Sequence, residues 1–394
     1  MIAKNQNSDK DHNGKKSRRF GLWAVIVFVS LLALFRPLIA NDQALIVITD
    51  SGYEFPAFRE LPSHWMLRSE PPVTIPIEGK AYFPLIAFHP QRIDLDQRLL
   101  PPGAQIKAQA KSGRHWLGTD QLGRDVLAGI IHGLYIAIII GLGTMLLAFA
   151  IGIPLGWLAS WTKRHSLSIA NWKLVPFLLW LFSILVFNNL VLGNSLFTAI
   201  GLVNSLVFCI SFFLLFRNKS GKGKSSSIQI PFDRLIFQFA AIIDSIPGLL
   251  WVLILGALFG PSLSGLILII AWVRLPEIIR LSQLEADRIQ TLPWSEAAIV
   301  AGIPTTRIWW KHWWPAQWPV MQTIFLFGVI SGVVLESTLS FLGLGLPYGQ
   351  VSWGTLINGA RTDISAWWLV LFPGIMLLLF IQGLRALSRY LAAN

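Results

Sequence analysis

Runs of about 20 apolar residues, the length a helix needs to cross a bilayer, recur along this chain. Inside hydrocarbon a backbone amide or carbonyl finds no water, so each such run must satisfy its hydrogen bonds within itself, as a helix. Apolar residues make up 54% of the 394 positions and charged residues only 13%, whereas soluble domains carry about 25% charged residues. The expected fold class is therefore an all-α polytopic membrane protein.

The net charge of +12 is placed for orientation and not for nucleic acid. Lysine and arginine gather in short loops beside the apolar runs, which is how they hold a loop on the cytoplasmic side, and no basic stripe interleaves with exposed aromatics. A polar tail, residues 1–20, ends in Lys15, Lys16, Arg18 and Arg19 and is expected in the cytoplasm. Residues 21–40 form the first expected span, with Arg36 snorkelling to the far interface. The Arg18-Arg19 pair also resembles a twin-arginine export signal, but such signals carry folded soluble proteins, and many apolar runs follow.

Residues 41–125 form the one long hydrophilic section, expected outside, where its acidic and basic residues nearly cancel and its prolines oppose long helices. From 126 to 385 the expected spans are 130–160, 174–192, 195–216, 235–258, 263–279, 320–342 and 366–383. A kink is expected at Pro247, and a cytoplasmic loop rich in charge and tryptophan at 280–319. Residues 386–394 close the chain inside. The loops assigned inside are basic, while the turns at 188–194 and 260–264 carry no charge, so the alternation is self-consistent.

The inner loop holds Glu296-Ala297-Ala298, then Gly302, then His312 and Pro315. Glu296–Ala301 reads as a short helix with Ser295 as its N-cap and Glu296 at the positive end of the dipole. Gly302 and Pro304 end it, and a bulky residue at 302 is expected to crowd the turn. An amphipathic stretch with Ile308, Trp309, Trp313 and Trp314 follows. Such a helix–turn–helix could dock a soluble partner. On composition alone, a surface helix with its tryptophans at the bilayer interface is the simpler reading.

The Glu-Ala-Ala-x3-Gly spacing resembles the signature loop of bacterial binding-protein-dependent ABC importer permeases. That resemblance implies a coupling helix inserting into a cleft of an ATPase subunit. Where the family usually has Ile-x-Leu-Pro, this chain has His312-Trp313-Trp314-Pro315, a substitution within the same docking surface. The string from His115 to Leu127, with Gly118-Thr119-Asp120, Gly123-Arg124-Asp125 at its centre, is similar to a segment of the C-type subunit of dipeptide, oligopeptide and nickel permeases. Leu339–Gly345 with Ser352-Trp353-Gly354 is similar to the outer segment between the last two spans of that branch. Ile39–Asp42 looks most like the microcin C and oligopeptide subgroup. The resemblance covers 113–160 and 233–385; residues 165–230 have no counterpart in it.

What the resemblance implies is a six-helix permease core, to which the 174–216 hairpin adds two spans for eight in all, set in the bacterial inner membrane with both termini cytoplasmic. The expected partners are a homologous second permease subunit, two ABC ATPase subunits carrying ATP and Mg, an outer solute-binding protein, and the lipid bilayer. This chain itself is expected to bind no cofactor and no nucleic acid and to be no enzyme. Peptide is the favoured solute, with nickel or another small ligand the alternative. A secondary transporter driven by an ion gradient is the different-class alternative, although no internal repeat supports it.

Catalytic patterns are missing. Gly221-Lys222-Gly223-Lys224-Ser225 has the look of a phosphate loop, but the required first glycine is Asn218. The seven histidines form no HExxH pair, and Cys209 has no second cysteine for a disulfide or a zinc site. Asp120, Arg124 and Asp125 are expected to form one charged cluster at the outer mouth, fixing loop geometry. Asp244 and Glu336 lie in apolar runs, where an acid is a candidate pathway residue by default; a structural bond to a freed backbone amide fits as well. Arg274, Glu277 and Arg280 are expected to snorkel at an inner end.

The hairpin carries its own test. Basic residues flank both arms and spare the turn at 188–194, which favours a transmembrane pair on the bundle periphery. In a Cys209→Ser background, an impermeant thiol reagent applied outside should label a cysteine at Asn189 and spare one at Ser225. Labelling of neither position in intact cells, with both reacting once the inner face is opened, would rule the transmembrane pair out.

Overall fold

The computed structural model describes residues 31–49, 52–59, 80–105, 114–164 and 232–392. The 1–20 tail, the first half of the 21–40 run, the 174–216 hairpin and the last two residues lie outside the described residues. In chain order the elements begin with α1 (Arg36–Ile39), β1 (Ile46–Thr49), β2 (Gly52–Glu54), α2 (Pro56–Arg59), β3 (Lys80–Tyr82), β4 (Ala104–Gln105) and β5 (Arg114–His115). Then come α3 (Val126–Arg164), α4 (Phe232–Ser245), α5 (Gly248–Phe259), α6 (Leu263–Gln290), α7 (Pro293–Val300) and α8 (Thr305–Ile308). A π-helical turn (Trp309–Trp313) leads into α9 (Trp314–Phe341), followed by α10 (Trp353–Gly359) and α11 (Trp368–Ala392).

Two compact units divide the chain: residues 1–141 with 333–394, and residues 142–332. In the first, the hydrophilic section departs from the expected all-α class. The β-branched run of β1 pairs antiparallel with β2 and β3 in the order β2-β1-β3, with Val47 opposite Glu54 and Ala81. A second antiparallel pair joins β4 and β5, with Ala104 opposite His115. Prolines cut the helices short here and strand propensity takes over. Arg36 does not snorkel: it is 3% exposed, and its guanidinium lies 3.3 Å from the centroid of the Tyr135 ring, a cation–π contact that offsets desolvation. The core of this unit gathers Val126, Ile130, Val351, Leu356, Trp368 and Leu369. Trp353, buried at the start of α10, donates from Nε1 to the Ile130 carbonyl at 3.0 Å.

Among the described residues, three helical runs, Val126–Lys163, Thr305–Phe341 and Trp368–Ala392, are long and apolar enough to cross a membrane. At 39 residues, α3 reaches about 58 Å, four residues beyond the expected 130–160 at each end. The expected span at 235–258 falls on the pair α4 and α5, bent by 85° at the expected Pro247 break. Pro247 has no N–H, so the Ile243 carbonyl four residues back loses its helical partner. The indole of Trp251 takes it, donating from Nε1 at 2.8 Å. Helix α6 does not stop at 279 but runs on to Gln290, so much of the expected 280–319 loop is helical. Arg274, Glu277 and Arg280 lie within it, and it does not qualify as a span by composition.

In the second unit α3 and α6 approach closely through Gly152 and Gly156. A Cβ built on Gly156 would lie 2.6 Å from the Ile279 carbonyl oxygen and 2.7 Å from the Ser282 Cβ. Such small-x3-small spacing lets two backbones meet where lipid leaves little hydrophobic drive for association. Gly156→Leu should therefore destabilise the unit by at least the roughly 1–3 kcal/mol of an overpacked core. The measurement is thermal unfolding of the purified chain, with Gly256→Ala, whose Cβ would meet nothing within 4 Å, as the neutral control. Equal midpoints for the two variants would show that α3 and α6 are not in close contact.

Candidate functional site

The segment from Pro293 to Pro315 is built from its helix ends. Pro293 takes the first helical position of α7, where its missing N–H is no loss, and Leu292 precedes it as the cap. Ser295 is therefore not the N-cap: it sits inside the first turn, buried, and its Oγ accepts a hydrogen bond from Trp313 Nε1 at 2.8 Å. Ser295 is the one buried residue of the eight in α7. Glu296, Ala297, Ile299 and Val300 are exposed, Val300 at 87%, and Ala298 is half-buried.

Helix α7 ends at Gly302, whose φ of +74° is the left-handed conformation that disfavours side chains. A Cβ there would meet nothing within 4 Å, so the turn needs glycine for its backbone and not, as the sequence suggested, for lack of room. His312 and Pro315 are exposed, and the His312 ring lies 6.2 Å from that of Trp294. Thus α7 and the π turn come together, with Glu296, Ala297, Gly302, His312 and Pro315 all open to solvent and Trp313 turned inward. Trp313, which the sequence placed in the docking surface, is instead buried, and Ser295 is its hydrogen-bond partner and not a cap.

The string at 118–125 forms two clusters where one was expected. Asp120 Oδ1 accepts from the backbone N–H of Leu122 (2.8 Å) and of Arg124 (2.9 Å), and Oδ2 accepts from Arg124 Nε at 2.7 Å. Gly123 closes this turn with φ +74°, and a Cβ on it would fall 1.7 Å from the Asp94 carbonyl oxygen. Asp125 belongs to the other cluster: its backbone bridges to Thr119. Its Oδ1 accepts from the Ala128 N–H at 2.7 Å, capping α3, and its Oδ2 lies 2.8 Å from His115 Nδ1. His115 Nε2 lies 2.7 Å from Gln97 Oε1. Thr119 ties the same strip down: its Oγ1 donates to the Gln97 carbonyl at 2.6 Å, and its own carbonyl accepts from Trp368 Nε1 at 3.0 Å. Gly118 packs against that indole. Nearly every polar group of the strip is thus engaged by the protein itself.

The two acids in apolar runs are also engaged. Glu336 is buried, and its carboxylate accepts from the hydroxyls of Ser340 (2.7 Å) and Ser337 (3.2 Å) on its own helix. Asp244 pairs with Arg280, joining α4 to α6, so Arg280 does not simply snorkel; Arg274 pairs with Glu277 at 2.5 Å. Among the described residues no three of His, Cys, Asp and Glu converge as metal ligands.

Part of the chain matches a known protein family. Residues 223–394 match the model of the family described as "Binding-protein-dependent transport system inner membrane component". The chain is 26% identical to the "Probable D,D-dipeptide transport system permease protein DdpC" of Escherichia coli over 330 residues, covering 81% of this chain and 85% of that one. It is 25% identical to the di/tripeptide transport system permease of Pseudomonas aeruginosa over 294 residues, 74% of each chain. Over a shorter stretch of 152 residues it is 34% identical to the oligopeptide transport system permease of Haemophilus influenzae, covering 37% of this chain and 48% of that one.

The bonding of the 118–125 strip predicts different losses for its two charged partners. Arg124→Ala removes one bond to Asp120, whereas Asp120→Ala removes three and leaves two backbone N–H groups unmet. At roughly 1.5–3 kcal/mol for a hydrogen bond to a charged group, Asp120→Ala should lower the unfolding midpoint markedly more. Neither substitution should change the order of solute preference in competitive uptake. A variant that keeps its midpoint and switches solute would show direct contact with the cargo.

Proposed function

We propose that the chain, whose residues 223–394 match the inner-membrane components of binding-protein-dependent transport systems, is one permease subunit of an ATP-binding-cassette importer for peptides. It forms half of a translocation pathway, and a homologous second permease subunit forms the other half. Two ATPase subunits dock on the Pro293–Pro315 segment and bring the ATP and Mg, and an outer binding protein delivers the solute. Closure of the ATPases switches the pathway between outward and inward access. The core has six spans, the 174–216 hairpin adds two, and both termini are cytoplasmic.

The observation that carries this reading is the solvent-facing α7. A helix of eight residues is too short to be stable alone, yet α7 presents Glu296, Ala297, Ile299 and Val300 outward and is held by one buried side chain. Exposed apolar residues on a short helix that ends in a left-handed glycine suit insertion into a cleft of a partner. Peptide is favoured over nickel because the relatives named above are named for peptide transport. The 118–125 strip, bonded throughout to the protein, is read as a loop clamp and not as a solute site. Asp244 and Glu336, each with a partner, are read as interhelix and intrahelix ties.

A double variant tests the docking assignment. Glu296→Lys reverses the charge on the exposed face, and Gly302→Leu forces a branched side chain into φ +74°. The chain should insert normally, while copurification with the ATPase subunits is lost and ATP-driven uptake falls at least about tenfold, equivalent to about 1.4 kcal/mol. Uptake at the unmutated rate would overturn the assignment.

A further inference from the structure

Helix α7 buries one side chain, and what that side chain is bonded to decides what the helix's movement can reach. Seven of its eight residues are exposed or half-buried; the remaining one, Ser295, is fully buried against Trp313. Serine brings almost no apolar area to such a contact, so the join rests on direction: one hydroxyl accepting from one indole N–H in a dry site, where an unmet partner is costly.

Behind Trp313 the contacts continue without a gap. The π turn Trp309–Trp313 brings two indoles to the same neighbour: Trp313 stacks on Trp157 of α3 with centroids 5.2 Å apart and planes 19° apart, and Trp309 meets it edge-on at 6.1 Å. Trp157 Nε1 donates to Gln317 Oε1 of α9. Gln317 Nε2 donates to Ser282 Oγ of α6 at 3.2 Å, and that hydroxyl donates to the Ile153 carbonyl of α3 at 3.2 Å. Trp157, Ser282, Trp313 and Gln317 are all buried. Nearby, Gln290 donates to Ser160 Oγ at 2.8 Å, Ser160 donates to Asp287 at 2.5 Å, and Lys163 pairs with Asp287 at 3.1 Å.

We propose that Trp313 is the positioning residue that couples α7 to the long helices, transmitting its displacement through the Ser295 hydrogen bond and the stack on Trp157 into α3, α6 and α9. This rests on the reading of α7 as the ATPase-docking helix. Trp313 touches neither nucleotide nor solute and faces inward from the docking surface. An indole suits the task because it is rigid, with two side-chain torsions, and because it offers a flat face to one helix and a directed donor to another. An aliphatic side chain at 313 would fill the space and pass on no direction.

The test uses the complete transporter with its ATPase and binding-protein partners in proteoliposomes, and reads ATP hydrolysed per solute imported. Trp313→Phe keeps an aromatic ring on Trp157 and removes the donor; Ser295→Ala removes the acceptor. Each should leave the complex assembled and raise the ATP cost per solute roughly threefold or more, the size of a lost coupling contact. The double variant should be no worse than either single one, because both remove the same bond. An unchanged ratio in both single variants, a proportional fall of hydrolysis and uptake together, or additive losses in the double variant would each overturn the proposal. If the unmutated chain fails to bring down the ATPase at all, the docking reading falls first and the coupling role with it, an outcome visible before any variant is made.

Discussion

A peptide group in hydrocarbon has nothing to bond to except its own chain, and the long helices of this protein follow from that. It also removes much of the force that packs helices in water, since a lipid tail is as apolar as a leucine. Contacts between long helices must then come from close approach or from directed polar bonds. Both occur between α3 and α6: Gly152 and Gly156 admit the neighbouring backbone, and a few residues along, Ser282 bonds to the Ile153 carbonyl and to Gln317. The small residues set how near the helices lie, and the polar ones set their register.

The two motif-bearing segments use the same chemistry to opposite ends. In the 118–125 strip the acids turn inward: Asp120 collects two backbone amides and a guanidinium, Asp125 caps α3 and holds His115, and little is left over. A loop so satisfied is a fixed frame. In α7 the acid turns outward, the serine alone turns inward, and the apolar Ile299 and Val300 face solvent. On the proposed docking role, a helix so unsatisfied is half of an interface, its stability completed by what binds it. Closely spaced Gly, Asp and Glu residues thus build a closed structure in one place and an open one in the other, and the difference lies in which partners the fold brings within reach.

Those partners decide how much could be read from the chain alone. Apolar runs gave the long helices and their approximate places, because length and hydropathy act locally. The turn at Gly302 was legible from glycine followed by Pro304, though its cause is a left-handed backbone and not crowding. Ser295 looked like an N-cap because serine before Glu-Ala-Ala usually is one; Pro293 two residues earlier had already started the helix. Arg36 read as snorkelling because nothing in the sequence announces Tyr135, 99 positions away, as the ring it lies on. The strands of the hydrophilic section were hidden behind its prolines, although Ile46-Val47-Ile48-Thr49 is a β-branched run that could have signalled them. Trp157, Gln317 and Ser282 share one network from three helices, and no local pattern encodes a contact across 160 residues.

The break between α4 and α5 shows the opening constraint at its most demanding. An 85° bend frees carbonyls that a continuous helix would use, and in an apolar setting each unmet one costs several kcal/mol, on the order of a whole buried hydrogen bond or more. The chain meets them from its own side chains. Trp251 donates to the Ile243 carbonyl left open by Pro247, and Ser245 donates its hydroxyl to the Ile242 carbonyl at 2.6 Å. Asp244, the acid nearest the freed backbone, is held instead by Arg280 of α6, which ties α4 to α6 beside the bend. Proline, serine and tryptophan within seven positions therefore make the bend a built feature with its donors supplied. Removing the indole donor would leave the bend in place and its carbonyl bare, so the energetic weight of the break rests on Trp251 as much as on the proline that causes it.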